Sequence, residues 1–563
     1  IGLAIRPLSN YRFTLGADYT IMDGGPKNIS PFIEANPING LKLSFSTTID
    51  TDNTDDININ DLDWNINLGF VVDGENEVFT STINNPNAEL NLTGWGTITS
   101  THKKETLATP NIKDGMTFLK MRLDGAFIEE PPKVNKFNFN VPVSFGLFGL
   151  NNDNTPGIQL RTWINELDRH SKNDKIDALV IELGSISAGF SKRQEIRNAL
   201  IRFKESGKKI YVYSEGSITN GTYYLISMAD EIYIHEQNSI YLNGVAANFV
   251  FYKGLFDKWD ITPVVYRVEK DGKSYKGAAD QFIEDSITDE MREEYNKIFD
   301  DLYYVFIRDI AENKGWSAEK VEGAIDNGPY LIAENAVEAG LITGTMYPDE
   351  FKDYINKLSG DDSENNKALS MINENIEIKD NRNFIDFKPY RASNYIHDWR
   401  IKDLSNIAII YAVGGIVPGE SNPGPKGSTM MGDKTIAKAF KSAYEDDNID
   451  AVILRIDSGG GSAFASDMMW RQMVKSKEKA KKQKPFIVSM SDVAASGGYY
   501  IATEADKIIA NETTITGSIG VISFWPNISK LMNKHGITFD DSIKRGEHSN
   551  FKYITFANRL HND

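Results

Sequence analysis

The stretch Ala494-Ala495-Ser496-Gly497-Gly498-Tyr499-Tyr500 sets one hydroxyl among very small residues, in a chain with no cysteine and seven histidines. A serine attacks a carbonyl only beside a base that takes its proton. Small neighbours suit that chemistry because they leave room for a substrate, and they equally suit tight packing of a helix. A second feature lies upstream, where three glycines stand in DSGGGSA (457–463) directly after an apolar run. Consecutive glycines let backbone N–H groups approach a ligand without side-chain obstruction. Such donors can meet the charge that develops on a carbonyl oxygen, although glycine turns also serve purely structural ends.

The base is harder to find. The histidines (102, 170, 235, 397, 535, 548 and 561) form no HExxH pair, and no metal-ligand spacing is present, so no metal or organic cofactor is expected. GKS at 272–274 lacks the upstream glycine of a phosphate loop, and TGSIG (516–520) has Thr516 where a nucleophile elbow starts with glycine. Lysine remains. Lys276, in RVEKDGKSYKGAADQF (267–282), precedes small residues and a long helical pattern. With 61 lysines and arginines in the chain, one lysine is ordinarily a solvated charge.

An internal repeat singles it out. KIDALVIEL (175–183) returns as NIDAVILRI (448–456), SEGSITNGTYYLISMADEIYI (214–234) as SDVAASGGYYIATEADKIIA (491–510), and LFDKWDITP (255–263) as LMNKHGITF (531–539). Three blocks in one order describe a duplicated domain. Ser496 then falls opposite Asn220. Aligning Gly272 with Gly546 sets Lys276 opposite Asn550. Copy one keeps a lysine and lacks the serine; copy two does the reverse. A working site would have to form where the copies meet.

The elements that position these residues follow from the pattern. IDALVIEL (176–183) and IDAVILRI (449–456) read as buried strands, and 289–315 as a long helix ending at Gly315. This alternation predicts an α/β fold with covered sheets: two tandem ββα repeats over residues 114–375 and 376–563, the second cut short near Asp563. Residues 1–113 differ. RFTLGADYTI (12–21), LKLSFSTTID (41–50), LDWNINLGFVV (62–72) and EVFTSTI (77–83) alternate apolar and polar residues between turns, which predicts an antiparallel β-rich region. Part of an outer-membrane barrel and a soluble β-sheet both fit that alternation.

Composition sets the outer limits. A formal charge of −18 offers no basic stripe, which argues against a nucleic-acid partner. Without cysteine there is no disulfide and no thiol catalysis. No apolar run reaches the ~18 residues of a spanning helix. The first residue is Ile1, so an export signal could have been removed.

LRIDSGGGSA, the block 488–522 and VVYRVEKDGKSYKGAADQFIEDSIT (264–288) together resemble signal peptide peptidase A of the long, duplicated type, a serine–lysine peptidase family with a Clp/crotonase-like fold. The resemblance covers residues 114–563. It implies Ser496 as nucleophile, Lys276 as general base, Ser518 as a serine assisting the lysine, and oxyanion donors at Gly497 and at Gly460 or Gly461. It also implies peptide substrates such as residual signal peptides, a tetrameric homo-oligomer, and a membrane-associated place in the bacterial cell envelope, facing the periplasm. The family usually has proline where Gly459 stands, and the β-rich region replaces its usual membrane anchor. Two other functions stay in view: a crotonase-like acyl-CoA enzyme, and a non-catalytic membrane-associated scaffold.

Overall fold

The computed structural model describes residues 2–5, 13–20, 28–38, 41–50, 63–72, 77–84, 92–98, 115–131, 157–360, 383–388, 405–423, 429–538, 543, 545 and 546. The chain divides into two compact units, Ile1–Asp114 with His397–Lys402, and Gly115–Ile396 with Asp403–Asp563.

The first unit holds a seven-stranded sheet in simple sequence order, from Gly2–Ile5 to Leu92–Ile98. Every neighbouring pair is antiparallel. Because side chains alternate faces along a strand, register decides what each face carries. One row across the sheet reads Ile5, Leu15, Ile33 and Phe45. A row on the other face reads Gly16, Phe32 and Ser46. Ile5, Ile33 and Phe45 are exposed.

The second unit is mixed α/β. Its first sheet runs in the order Gly344–Thr345, Glu231–Ile234, Lys209–Ser214, Ala178–Ser187, Phe118–Ile128, Phe384–Asp386, all parallel. The second runs Asn406–Val413, Ile449–Ser458, Phe486–Ala495, Lys507–Ile509, also parallel. Parallel strands need both faces covered, which is why Leu179, Ile181, Val452 and Leu454 are fully buried among apolar helix residues. Beside the first sheet, the helix Asp289–Lys314 starts on a Thr288 cap and stops at Gly315, whose φ of 63° only glycine adopts readily. Among the described residues no helix is long and apolar enough to cross a membrane.

Several contacts tie the parts of this unit together. Thr262–Arg267 pairs antiparallel with Ile522–Asn527, and Phe282 packs on Phe524 with ring centroids 4.7 Å apart. Below them Arg455 of the second sheet reaches across to Glu129 (2.9 Å) and Glu195 (2.7 Å) of the first. Burial works against the Arg455 charge, but the two carboxylates outweigh it and hold the guanidinium protonated. Stranding either partner would leave a buried charge unpaired.

Candidate active site

Ser496 sits where the strand Phe486–Ala495 turns abruptly into the short helix Gly497–Tyr500. Its φ of 52° and ψ of −117° are rare for any residue with a Cβ. Strain of this kind persists only where the surroundings fix it, and it presents the side chain at the tip of the turn. The surroundings are visible here. The Ser496 N–H donates to the Gly517 carbonyl (2.9 Å), and Tyr500 N–H donates back to the Ser496 carbonyl (2.9 Å).

The glycine turn packs directly against this elbow. A Cβ on Gly460 would fall 2.6 Å from the Gly497 nitrogen and 2.9 Å from the Ser496 Cβ, so only glycine fits. A Cβ on Gly461, at φ 154°, would fall 2.3 Å from the Ile416 carbonyl oxygen. The Gly460 N–H is already used: it donates to Ser458 Oγ (3.1 Å), which donates in turn to the Gly414 carbonyl (2.6 Å). Gly497 opens a helix, where the first N–H groups have no intrahelical acceptor and face outward.

Lys276 lies outside both parallel sheets, in the segment after the strand Thr262–Arg267. It begins the tight turn Gly277–Ala279, and its backbone N–H donates to the buried Ser274 Oγ (3.3 Å). Its Nζ donates to Ser518 Oγ (3.0 Å) and to the Ser518 carbonyl. Ser518, also at positive φ (46°), follows the strand Ile515–Gly517, which runs parallel to the end of the Ser496 strand with Gly517 opposite Ala495. Ser518 and Ser496 are thus adjacent across two paired strands. Partial burial lowers the Lys276 pKa from the usual lysine range, and the charge of Glu294 works against that. Burial in turn raises the Glu294 pKa, opposed by Lys276.

The structure therefore brings Lys276, Ser518, Ser496, Gly497, Gly460 and Gly461 to one end of the second sheet. Among the described residues, no recorded hydrogen bond joins Lys276 Nζ to Ser496 Oγ. At the matching place in the first sheet, the Asn220 side chain donates to Asn243 Oδ1 (3.0 Å) and to the Gly244 carbonyl (2.8 Å), a locked structural amide. Asn550 lies outside the described residues. No cluster of metal-ligating side chains occurs among those described. A cavity of about 290 Å³ opens beside Lys276, lined by Phe249, Val250, Gly277, Ala278, Met291 and Tyr295 among others.

Two further sets of residues were not singled out in the sequence. Lys192 bonds Asp457 and Asp492 across the sheet boundary, and Glu294 faces Lys276 electrostatically. Asp457 opens the motif DSGGGSA and was readable there; the other charges look like ordinary solvated positions on helices and turns.

Comparison with known proteins points to one family. The model of "Peptidase family S49" matches residues 202–360 and 478–562. The chain is 33% identical over 381 residues to "Serine protease SPPA, chloroplastic" of Arabidopsis thaliana, covering 67% of this chain and 51% of that one. It is 30% identical over 377 residues to "Protease 4" of Haemophilus influenzae, covering 65% and 56%. To "Protease 4" of Salmonella typhi it is 29% identical over 428 residues, covering 75% and 64%. The chain thus spans between half and two thirds of the length of these relatives.

Proposed function

We propose that this chain, which belongs to peptidase family S49, is a serine endopeptidase with Ser496 as nucleophile and Lys276 as general base. The observation that carries the reading is the hydrogen bond from Lys276 Nζ to Ser518 Oγ, 242 residues along the chain and one strand away from Ser496. Near its reference pKa of ~10.4 a lysine is protonated at neutral pH and cannot act as a base. Burial disfavours the ammonium, and the lowered Lys276 pKa follows from it. Ser518 aims the neutral amine.

In this mechanism Lys276 takes the Ser496 proton as Oγ bonds to the scissile carbonyl carbon. The carbonyl electron pair moves onto oxygen, where the N–H groups of Gly497 and Gly461 meet it, the Gly460 N–H being held by Ser458. Collapse of the intermediate breaks the C–N bond, and the leaving amine takes the proton from Lys276. Water then repeats the sequence on the acyl ester and frees Ser496.

Residues 114–375 and 376–563 act as two copies of one duplicated domain of Clp/crotonase-like fold. The matching strand order of the two parallel sheets supports this. The substrates are apolar peptides such as residual signal peptides, and the exposed side chains of Phe464, Ile519 and Val521 near the site suit them. Residues 1–113 attach the protein to the bacterial envelope through the apolar face of their sheet, with Ile33 and Phe45 toward lipid; alternation of this kind is the pattern of membrane strands. A homotetramer with its sites facing inward is the expected assembly.

The test is labelling with a serine-reactive phosphonate and mapping of the modified residue. Modification at Ser496, lost in Lys276→Ala, is the expected result; labelling elsewhere overturns the assignment. Because one chain supplies both residues, mixing inactive Ser496→Ala and Lys276→Ala proteins should restore nothing. Recovery would instead assign the dyad to two different subunits.

A further inference from the structure

The glycine turn beside Ser496 is tethered to the other sheet by a small charged cluster that the mechanism above does not use. Lys192 lies near the start of the helix Phe190–Glu205, on the first sheet. Its Nζ donates to Asp457 Oδ2 (2.5 Å) and to Asp492 Oδ2 (2.7 Å), both on the second sheet. Lys192 is only 6% exposed.

Each carboxylate holds backbone that leads directly to the site. Asp457 is the residue at which the pairing of Ile449–Ser458 with Phe486–Ala495 slips register, between Ile456 and Ser458. The slip takes Val493 out of the ladder, and Asp457 Oδ1 accepts the Val493 N–H (3.2 Å) instead. The Asp457 carbonyl accepts the Gly414 N–H (2.9 Å), and the next residue, Ser458, holds Gly414 and Gly460 through its hydroxyl. Asp492 lies four residues before Ser496. Its two oxygens accept the N–H groups of Gly189 (3.2 Å) and Lys192 (2.9 Å), a carboxylate seated on the helix N-terminus where the dipole favours it. A Cβ on Gly189 would stand 2.2 Å from the Asp492 Cγ, so that approach needs glycine.

We propose that Lys192 is a positioning residue: its ammonium holds Asp457 and Asp492 together, and through them sets the glycine turn 459–461 against Ser496. The inference rests on the peptidase reading. Two carboxylates this close, largely shielded from water, repel each other unless a cation stands between them. Without it they separate, and the slipped register they brace carries both the oxyanion donors and the nucleophile. Burial disfavours the Lys192 charge, but Asp492 and Asp457 outweigh burial and keep it protonated above the ordinary lysine range. The cluster is therefore a fixed brace throughout the pH range in which Lys276 works as a base. The part of the unit before residue 376 would thus supply both the base and the brace that sets the donors.

The experiment compares wild type, Lys192→Met, Lys192→Arg and the milder Asp457→Asn as full chains, on a short peptide ester, with thermal unfolding measured in parallel. Lys192→Met should lower kcat about 10- to 100-fold with KM within about twofold, because donor alignment matters most in the transition state. Lys192→Arg, which keeps the cation, should recover most of kcat. Asp457→Asn should lower kcat by less than Lys192→Met, again with KM unchanged. If Lys192→Met does not fold, the kcat loss in folded Asp457→Asn carries the test. Folded Lys192→Met with wild-type kcat, or a loss that merely tracks the unfolded fraction, overturns the proposal while leaving the peptidase reading intact. A wild-type chain with no Ser496-dependent hydrolysis overturns both.

Discussion

The two parallel sheets of the second unit share a strand order and differ in what stands at the same turn. In the second, the chain rises from Ala495 into Ser496 at positive φ, with the serine at the mouth of a glycine turn. In the first, Thr219 leads into Asn220, whose amide is bonded on both sides to the following loop. The neighbouring strand carries the contrast further, with Ser518 after Gly517 beside Ser496 and Leu242 after Tyr241 beside Asn220. In the proposed mechanism the region before residue 376 supplies the base and the second sheet supplies the nucleophile and its donors, so that neither would work alone.

That division is broken most completely by removing its two ends. Ser496→Ala and Lys276→Ala should each reduce peptidase turnover by several orders of magnitude, and the double variant should be no worse than either, since the pair acts as one unit. Steady-state kinetics on one peptide substrate checks this. Additive losses would mean that the two residues act independently. Asn220→Ser placed in the Ser496→Ala background should restore nothing, because the hydroxyl would meet Leu242 and Asn243 where Ser496 has Ser518.

A smaller effect is expected at the donors. Gly460→Ala should cost on the order of 100-fold or more in kcat, comparable to loss of an oxyanion donor. The added methyl would strike the Gly497 nitrogen and the Ser496 Cβ, and φ of 95° would strain it as well. Gly459→Ala is the matched control. A Cβ there meets nothing within 4 Å, so activity should stay near wild type. Equal losses at both positions would show that the turn tolerates no substitution for reasons unrelated to Ser496.

Much of this was legible in the sequence, and the limits are physical. Buried strands announce themselves by continuous apolar residues, so 176–183 and 449–456 were recoverable and became Ala178–Ser187 and Ile449–Ser458. Ser496 and Lys276 stood out because the repeat gave each position its own internal control. Alternation likewise marked the N-terminal strands. The route by which Lys276 reaches the second sheet was not legible. Thr262–Arg267 and Ile522–Asn527 form a two-stranded pairing of their own, which is decided by the packing of everything else. Lys192 and Asp492 were hidden for a related reason. A lone charge reads as solvated until tertiary structure closes over it. The glycines of 459–461 drew attention to backbone donors, and only the folded chain shows that Ser458 already holds the N–H of Gly460.

The smallest expected effect concerns how Glu294 tunes Lys276, the proposed base. Glu294 sits on the long helix Asp289–Lys314, and its negative charge favours the ammonium form of Lys276, against the burial that lowers the Lys276 pKa. The sign follows directly. The active form of Lys276 is neutral, so kcat/KM should rise with pH as Lys276 loses its proton, along a limb whose midpoint lies below the ordinary lysine value. Glu294→Gln removes the carboxylate and leaves burial to act unopposed, which lowers the Lys276 pKa further. The acidic limb of the kcat/KM profile should move to lower pH, while the plateau at high pH, where Lys276 is already neutral, stays close to wild type. Activity at neutral pH should therefore increase modestly. A limb shifted upward, or a plateau lost with the limb unmoved, would mean that Glu294 orients the lysine or the peptide and does not set its charge.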